Sequence, residues 1–169
     1  AKLCYNPMKW FFGNELGGGE ESVLPVECTV KPTPKIFIVD DSKLDRMTLA
    51  AFLSPHGYEM IPIESGVVAL EKALDDPPDL IILDIVLPEM DGFEVLRRLK
   101  TAPETCEIPV LCTTGSSSLD SNLQAFDLGA EGFLTKPFNK VMVEAYVKAF
   151  VRMKQINDEH GHAEGDSAL

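Results

Sequence analysis

The 169-residue sequence has few basic residues and little cysteine. Fifteen lysines and arginines stand against 27 aspartates and glutamates, which gives a formal net charge of −12 at pH 7. Such a charge repels nucleic-acid backbones and anionic lipids, so we expect no direct binding to nucleic acid and none to a membrane. The four cysteines form no C-x-x-C pair, which argues against a structural zinc site.

Two kinds of hydrophobic segment are also missing. No apolar run is long enough to cross a bilayer, and no basic stretch followed by an apolar core marks a secretion signal at the N-terminus. We therefore expect a reduced, cytoplasmic protein in which Cys112, within an apolar run, is a buried free thiol. The hydrophobic fraction of 45% is enough for one domain of ordinary size with extensions.

The composition divides the chain into three parts. Residues 1–34 hold an aromatic cluster at positions 10–12, three consecutive glycines and two late prolines, which are typical of an extension and a linker. Residues 35–154 show the regular pattern of a folded domain, and residues 155–169 form a polar tail. The sequence does not decide whether the aromatic cluster packs on the domain or docks on a partner.

Within the central part, short apolar runs rich in β-branched residues alternate five times with amphipathic segments. The runs lie at residues 36–39, 59–63, 80–83, 110–113 and 133–135. We expect Ser42 to cap the first helix, and Gly57 and Gly129 to end the first and fourth. This alternation predicts an α/β fold with a parallel sheet covered on both faces.

Three of the predicted helices have an apolar face that helical spacing assigns. These faces are Leu49, Phe52 and Leu53 in the first helix, Leu70, Ala73 and Leu74 in the second, and Met142, Ala145, Tyr146 and Ala149 in the last. We expect the sheet to lie against helices on both sides.

Polar residues follow four of the five predicted strands. They are Asp40 and Asp41 after the first strand, Asp84 after the third, Thr114 and Gly115 after the fourth, and Lys136 after the fifth. Because ligands of such sheets bind beyond the carboxyl ends of the strands, we expect these residues to gather at one edge. Three neighbouring carboxylates repel one another, and Mg²⁺ with oxygen ligands would offset that repulsion. With a lysine and a hydroxyl added, the set suits a phosphoryl group attached to a carboxylate.

Four segments resemble the receiver domains of two-component response regulators. They read KIFIVDDS, DLIILDIVLPEMDGFEVLRRLK, IPVLCTTG and GAEGFLTKPF, and the similarity runs from about Lys35 to about Met153. The resemblance implies a CheY-like, flavodoxin-like (βα)5 fold, a doubly wound parallel sheet with strand order 2-1-3-4-5. It also implies a phosphoacceptor domain of a phosphorelay that passes on a conformational change, rather than an enzyme.

The same resemblance implies roles for the acidic residues. Asp84 would be the phosphoacceptor in a Mg²⁺-dependent reaction. Asp41 and Asp84 would bind Mg²⁺ directly, Asp40 would act through a water molecule, and Val86 would add its backbone carbonyl. No acidic hallmark position is missing, so we do not expect a receiver that is unable to accept a phosphoryl group.

The remaining hallmark residues belong to the response to phosphorylation. Thr114 would hydrogen-bond the phosphoryl group and Lys136 would pair with it, with a cis peptide bond between Lys136 and Pro137. Phe133 matches the aromatic switch residue that turns inward when Thr114 moves. Thr113 departs from the family, which often has an apolar residue there, and we expect only softer packing beneath the switch.

The resemblance also indicates partners. None of the three histidines lies in a kinase-type helix, so the phosphodonor would be another protein, either a histidine kinase or a histidine phosphotransfer protein. A downstream protein effector would bind the surface of the fourth helix, fifth strand and fifth helix. Residues 155–169 are too few for a helix-turn-helix module, which disfavours a transcription factor. The sequence names neither kinase nor effector and leaves the oligomeric state open, with a homodimer as one option.

The tail, KQINDEHGHAEGDSAL, resembles the nucleotide-binding stretch of GGDEF-type diguanylate cyclases, which typically reads F-K-x-x-N-D-x-x-G-H-x-x-G-D-x-x-L. The matching residues are Asn157, Asp158, Gly161, His162, Gly165, Asp166 and Leu169. Ala149 and Val151 stand where that family has metal-binding carboxylates, so we expect no complete cyclase site. The alternative function is therefore the regulatory fragment of a diguanylate cyclase, with GTP bound through Asn157 and Asp166.

Overall fold

The computed structural model describes residues 33–115 and 119–161, with side chains for 33–115 and 123–158. Strands and helices alternate along this part of the chain. Their bounds are β1 Lys35–Val39, α1 Lys43–Leu53, β2 Glu59–Ile63, α2 Gly66–Asp75, β3 Leu80–Asp84, α3 Gly92–Thr101, β4 Val110–Thr114, α4 Leu119–Asp127, β5 Gly132–Thr135 and α5 Lys140–Gly161. The predicted extension before residue 33 and the tail beyond residue 161 lie outside the described residues.

The five strands form one parallel sheet in the order β2-β1-β3-β4-β5, which confirms the predicted fold. The strand order reverses between β1 and β3. In sheets of this kind the crevice beyond the carboxyl ends of such neighbouring strands is where ligands bind. The topology therefore predicts a ligand site at the residues that follow Val39 and Leu83.

The central position of β3 in the sheet explains why its first four residues are all apolar. All five of its residues are buried, and its side chains alternate between the two faces of the sheet. Ile81 and Leu83 pack in a core with α2, α3 and α4, while Leu80 and Ile82 pack in a second core with α1 and α5. Fully burying such a side chain contributes about 1.5–3 kcal/mol, so both cores hold β3 in place.

Two predicted helix faces are confirmed only in part. On α5, Tyr146 packs against the core as predicted. The residues of α5 that face the sheet are Val143, Val147 and Val151, whereas Met142 is 47% exposed and Ala145 and Ala149 are exposed. Both sets have helical spacing, and the valines fill the space against β3 and β5 better than alanines would.

On the face predicted for α2, Ala73 is buried and Leu70 is partly buried, whereas Leu74 is 53% exposed. The other buried residues of α2 are Gly66 and Ala69. Small residues let α2 lie close to the sheet, and Leu70 and Leu74 line a pocket beside α3. The face predicted for α1 is confirmed, since Leu49 and Leu53 are buried and Phe52 packs against them.

Two of the three predicted helix boundaries match the backbone geometry, those at Ser42 and Gly129. The side chain of Ser42 accepts a hydrogen bond from the backbone amide of Asp45 and so caps α1. Gly129, after α4, has a φ of 95°, in the left-handed region that glycine adopts at low cost. Gly57, with a φ of 72°, ends the short 3-10 helix Ser54–His56 that follows α1, so α1 itself ends earlier than predicted, at Leu53. At the other end of the domain α5 runs without a break from Lys140 to Gly161, across the domain boundary proposed at residue 154, which stays a prediction.

Within the described part of the chain, no helix combines the length and the apolar character needed to cross a membrane. The two cysteines in this part, Cys106 and Cys112, are free thiols. Cys112 is buried as predicted, and burial raises the pKa of its thiol to about 12.

These two cysteines allow a test of the core. At pH 8 we expect iodoacetamide to modify Cys106, which is partly exposed, and to leave Cys112 intact because it is buried and protonated. Peptide mass mapping before and after unfolding in urea measures both sites. Equal modification of Cys112 in the native and unfolded protein would contradict the packing described here.

Candidate functional site

Three carboxylates converge at the carboxyl edge of the sheet. Asp40 and Asp41 follow β1, Asp84 ends β3, and one oxygen from each side chain lies within 4.8 Å of the others. Asp40 and Asp84 are buried, whereas Asp41 is exposed. The structure thus brings together the acidic residues that the sequence predicted would meet.

The ammonium group of Lys136 reaches into this cluster from the end of β5. Its Nζ lies 2.5 Å from Asp84 Oδ2, 2.8 Å from Asp40 Oδ2 and 2.8 Å from Asp45 Oδ2. Burial alone would lower the pKa of Lys136, but hydrogen bonds to the three carboxylates outweigh it and raise the pKa above its ordinary value. Lys136 is therefore a fixed positive charge. The Lys136–Pro137 peptide bond is cis, as predicted.

Backbone amides hold the two buried carboxylates in place. Asp40 Oδ1 accepts a hydrogen bond from the amide of Ser42 at 2.8 Å, and Asp84 Oδ1 accepts one from the amide of Val86 at 2.9 Å. Burial is the largest influence on Asp40 and raises the pKa of its carboxyl, although Lys136 and Ser42 act in the opposite direction. Each carboxylate is thus oriented by its own loop rather than by solvent.

The other predicted site residues surround Asp84. Thr114 is buried at the end of β4, and its carbonyl accepts a hydrogen bond from the amide of Lys136 at 2.8 Å. Thr114 and Val86 line an open groove beside the β3–α3 loop. Phe133 is partly buried against the core on the α3 side of the sheet, in register with Cys112. At Gly115, a Cβ atom would meet nothing within 4 Å, so the space above β4 is free.

Two residues of α1 belong to the site although the sequence analysis did not include them. Asp45 is the third carboxylate that contacts Lys136, and Arg46 donates hydrogen bonds to the backbone carbonyls of Asp40 and Asp41. The sequence does carry a signal for Asp45, because Ser42-x-x-Asp45 is a capping-box pattern. In the structure the amide of Ser42 instead bonds Asp40, which leaves Asp45 free to pair with Lys136.

The donor set fits a hard divalent cation. Asp40, Asp41, Asp45 and Asp84 carry four negative charges when all are ionised, and Lys136 is the ammonium group that contacts three of them. Among the described residues, Asp40, Asp41 and Asp84 are the one group of three potential ligands close enough to share an ion. All three offer carboxylate oxygens, which Mg²⁺ prefers.

The β3–α3 loop depends on the absence of a side chain at Gly92. A Cβ atom there would lie 2.3 Å from the carbonyl oxygen of Asp84 and 2.6 Å from the Cα of Ile85, both backbone atoms. We predict that Gly92→Ala lowers the free energy of unfolding by about 1–3 kcal/mol, because the loop must shift. Urea unfolding measures this, with Gly115→Ala as the control that meets no atom. Equal effects of the two substitutions would contradict the packing.

Lys136 should stabilise the fold when no divalent cation is present. In EDTA at low salt, we expect Lys136→Gln to lower the free energy of unfolding by about 1–3 kcal/mol, because it leaves the buried carboxylates of Asp40 and Asp84 without a cation. The control is Lys140→Gln, since Lys140 is exposed and lies 3.7 Å from Glu144. A cost no greater than that of the control would show that Lys136 does not offset the repulsion.

The chain is similar to proteins of one family. The family profile of the response regulator receiver domain matches residues 36–148. The response regulator PleD of Caulobacter vibrioides is 40% identical over 125 residues, which are 74% of this chain and 28% of that protein. The chain thus spans less than a third of this curated relative.

Two solved structures show the same fold. The receiver domain of a signal transduction histidine kinase from Syntrophus aciditrophicus is 33% identical, with a TM-score of 0.66 over 71% of this chain and 91% of that one. The chemotaxis protein CheY4 of Vibrio cholerae is 30% identical, with a TM-score of 0.65 over 70% and 98%. The family profile covers more than half of the chain and the fold agrees with these structures, so the chain belongs to the response regulator receiver domain family.

Proposed function

We propose that this chain accepts a phosphoryl group on Asp84 from a phosphohistidine of a partner protein, in a Mg²⁺-dependent reaction. The observation that carries the proposal is the buried Asp84 carboxylate, which lies among Asp40, Asp41 and Lys136 at the edge of the sheet. A lone buried carboxylate would be costly, so this arrangement indicates a site built to hold charge.

Asp84 is oriented to act as a nucleophile. One of its oxygens attacks phosphorus and forms an O–P bond, the P–N bond of phosphohistidine breaks, and the electron pair leaves on the imidazole nitrogen. The amide of Val86 holds Oδ1, so the carboxylate keeps one orientation during attack. Asp41, Asp84 and the backbone carbonyl of Val86 would bind Mg²⁺ directly, and Asp40 would bind it through a water molecule. Mg²⁺ held there would neutralise charge on the phosphoryl oxygens.

Lys136 and Thr114 supply the remaining contacts to the phosphoryl group. Lys136 touches Asp84 Oδ2, so a short movement of its ammonium group brings it to a phosphoryl oxygen on that carboxylate. Thr114 adds a hydroxyl from the neighbouring strand end. When Thr114 moves toward the phosphoryl group it vacates the space into which Phe133 turns, which remodels the surface of α4, β5 and α5.

The partners follow from this chemistry. The donor is a histidine kinase or a histidine phosphotransfer protein, and the effector is a protein that binds the remodelled surface. Leu123 and Phe126 of α4 are about half exposed, at 52% and 50%, and offer apolar area on that surface. The proposal also includes a cytoplasmic location, and a homodimer is one option for the oligomeric state.

A small phosphodonor tests the assignment of Asp84. We expect acetyl phosphate with Mg²⁺ to add one phosphate to the chain by intact mass spectrometry, and no adduct to form in EDTA. Asp84→Asn should abolish the adduct because the amide is not a nucleophile of this kind, whereas Asp75→Asn, an exposed change on α2, should not. An Asp84→Asn variant that labels as fully as the wild type would disprove the assignment.

A second candidate is the regulatory part of a diguanylate cyclase, favoured by the seven tail residues that match the GGDEF nucleotide-binding stretch. This candidate requires that GTP bind through Asn157 and Asp166. Titration with GTP, monitored by calorimetry, should then give saturable binding that Asp166→Ala removes. No heat of binding at millimolar GTP would eliminate the candidate and leave the first proposal intact.

A further inference from the structure

Thr113 of β4 holds the one buried side-chain oxygen or nitrogen that lacks a hydrogen-bond partner among the described residues. Thr113 is 1% exposed, so its hydroxyl is fully removed from solvent. A buried hydroxyl without a partner forfeits the hydrogen bonds it makes with water in the unfolded chain. Valine has the same shape and a higher strand propensity, so the unphosphorylated fold alone gives no reason for threonine here.

The position of Thr113 indicates what the hydroxyl could meet. Thr113 is the register partner of Asp84 on the adjacent strand, and register partners project from the same face of a sheet about 4.8 Å apart. On its other side its register partner is Leu134, two residues before Lys136. Thr113 therefore lies beside Asp84 and below Lys136 on the face that α1 and α5 cover.

In the unphosphorylated chain, each oxygen of the Asp84 carboxylate beside Thr113 already accepts a hydrogen bond from another donor. Asp84 Oδ1 takes the amide of Val86 and Oδ2 takes the ammonium group of Lys136. Phosphorylation changes this arrangement, because one oxygen becomes bonded to phosphorus and the other remains as the acyl oxygen. If Oδ1 is the oxygen that bonds phosphorus, Oδ2 remains as the acyl oxygen, and it loses its donor when Lys136 moves to the phosphoryl oxygens.

We propose that Thr113 is a positioning residue whose hydroxyl donates a hydrogen bond to the acyl oxygen of Asp84 once Asp84 is phosphorylated. This inference rests on the proposed function and adds to it a donor that serves the phosphorylated state alone. The unpartnered hydroxyl disfavours the unphosphorylated state, and its new bond favours the phosphorylated one. Thr113 thus biases the equilibrium toward the phosphorylated state by the free energy of one buried hydrogen bond.

The chain offers a matched control for this donor. Thr105 is also buried, at 2% exposure, but its hydroxyl donates to the carbonyl of Leu99 at 2.7 Å, in the α3–β4 connection. Without a phosphoryl analogue, Thr113→Val should raise the melting temperature, whereas Thr105→Val should lower it. A lower melting temperature for Thr113→Val would mean that its hydroxyl already has a partner, and would overturn the inference.

The second measurement uses beryllofluoride, which bonds a carboxylate oxygen as a phosphoryl group does, with Mg²⁺ present. Thr113→Val should bind it about fivefold to a hundredfold more weakly than the wild type, the ratio expected for one buried donor. Thr113→Ser, which keeps the hydroxyl, should restore most of the affinity, and Thr105→Val should leave it within about twofold. Unchanged affinity in Thr113→Val would overturn the inference, while failure of the wild type to bind beryllofluoride would overturn the proposed function and the inference with it.

Discussion

Electrostatic repulsion among carboxylates at one edge of a parallel sheet is the constraint on which this structure depends. Strands β1 and β3 are neighbours in the sheet, so the acids that follow them must lie close together. Lys136 offsets part of the repulsion through contacts with Asp40, Asp45 and Asp84, and backbone amides fix the orientation of the buried pair. A bound divalent cation would add positive charge beside the carboxylates, and a phosphoryl group would add negative charge at Asp84. Each would change which groups Lys136 and the carboxylates contact, and such changes at one residue could alter the surface of the domain.

The sequence predicted the fold and the clustering of the site because both follow from periodicity and topology. Strand runs and helix caps are local signals, and the rule that ligand sites lie at carboxyl ends converts strand order into proximity. Helix faces were harder to predict. On α5 two apolar stripes have helical spacing, and only the shape of the sheet selects Val143, Val147 and Val151 over the stripe that begins at Met142.

Other features needed three-dimensional contacts. The pairing of Asp45 with Lys136 joins residues 91 positions apart, and the capping pattern alone would have directed the Asp45 carboxylate toward the amide of Ser42. In the sequence, Thr113 is a departure from the family that predicts only softer packing. In the structure its side chain lies beside Asp84, and its hydroxyl has no hydrogen-bond partner among the described residues, which only register and burial together reveal.

The central claim is that a phosphoryl group is carried by Asp84 itself, and reductive trapping of the acyl phosphate tests it most directly. Borohydride converts a phosphorylated aspartate to homoserine, which peptide mass spectrometry locates by residue. After treatment with acetyl phosphate and Mg²⁺, the account predicts homoserine in place of Asp84 and nowhere else in the peptide that spans β3. Homoserine at Asp40 or Asp41, or none at Asp84 in a chain that carries a phosphate adduct, would contradict it.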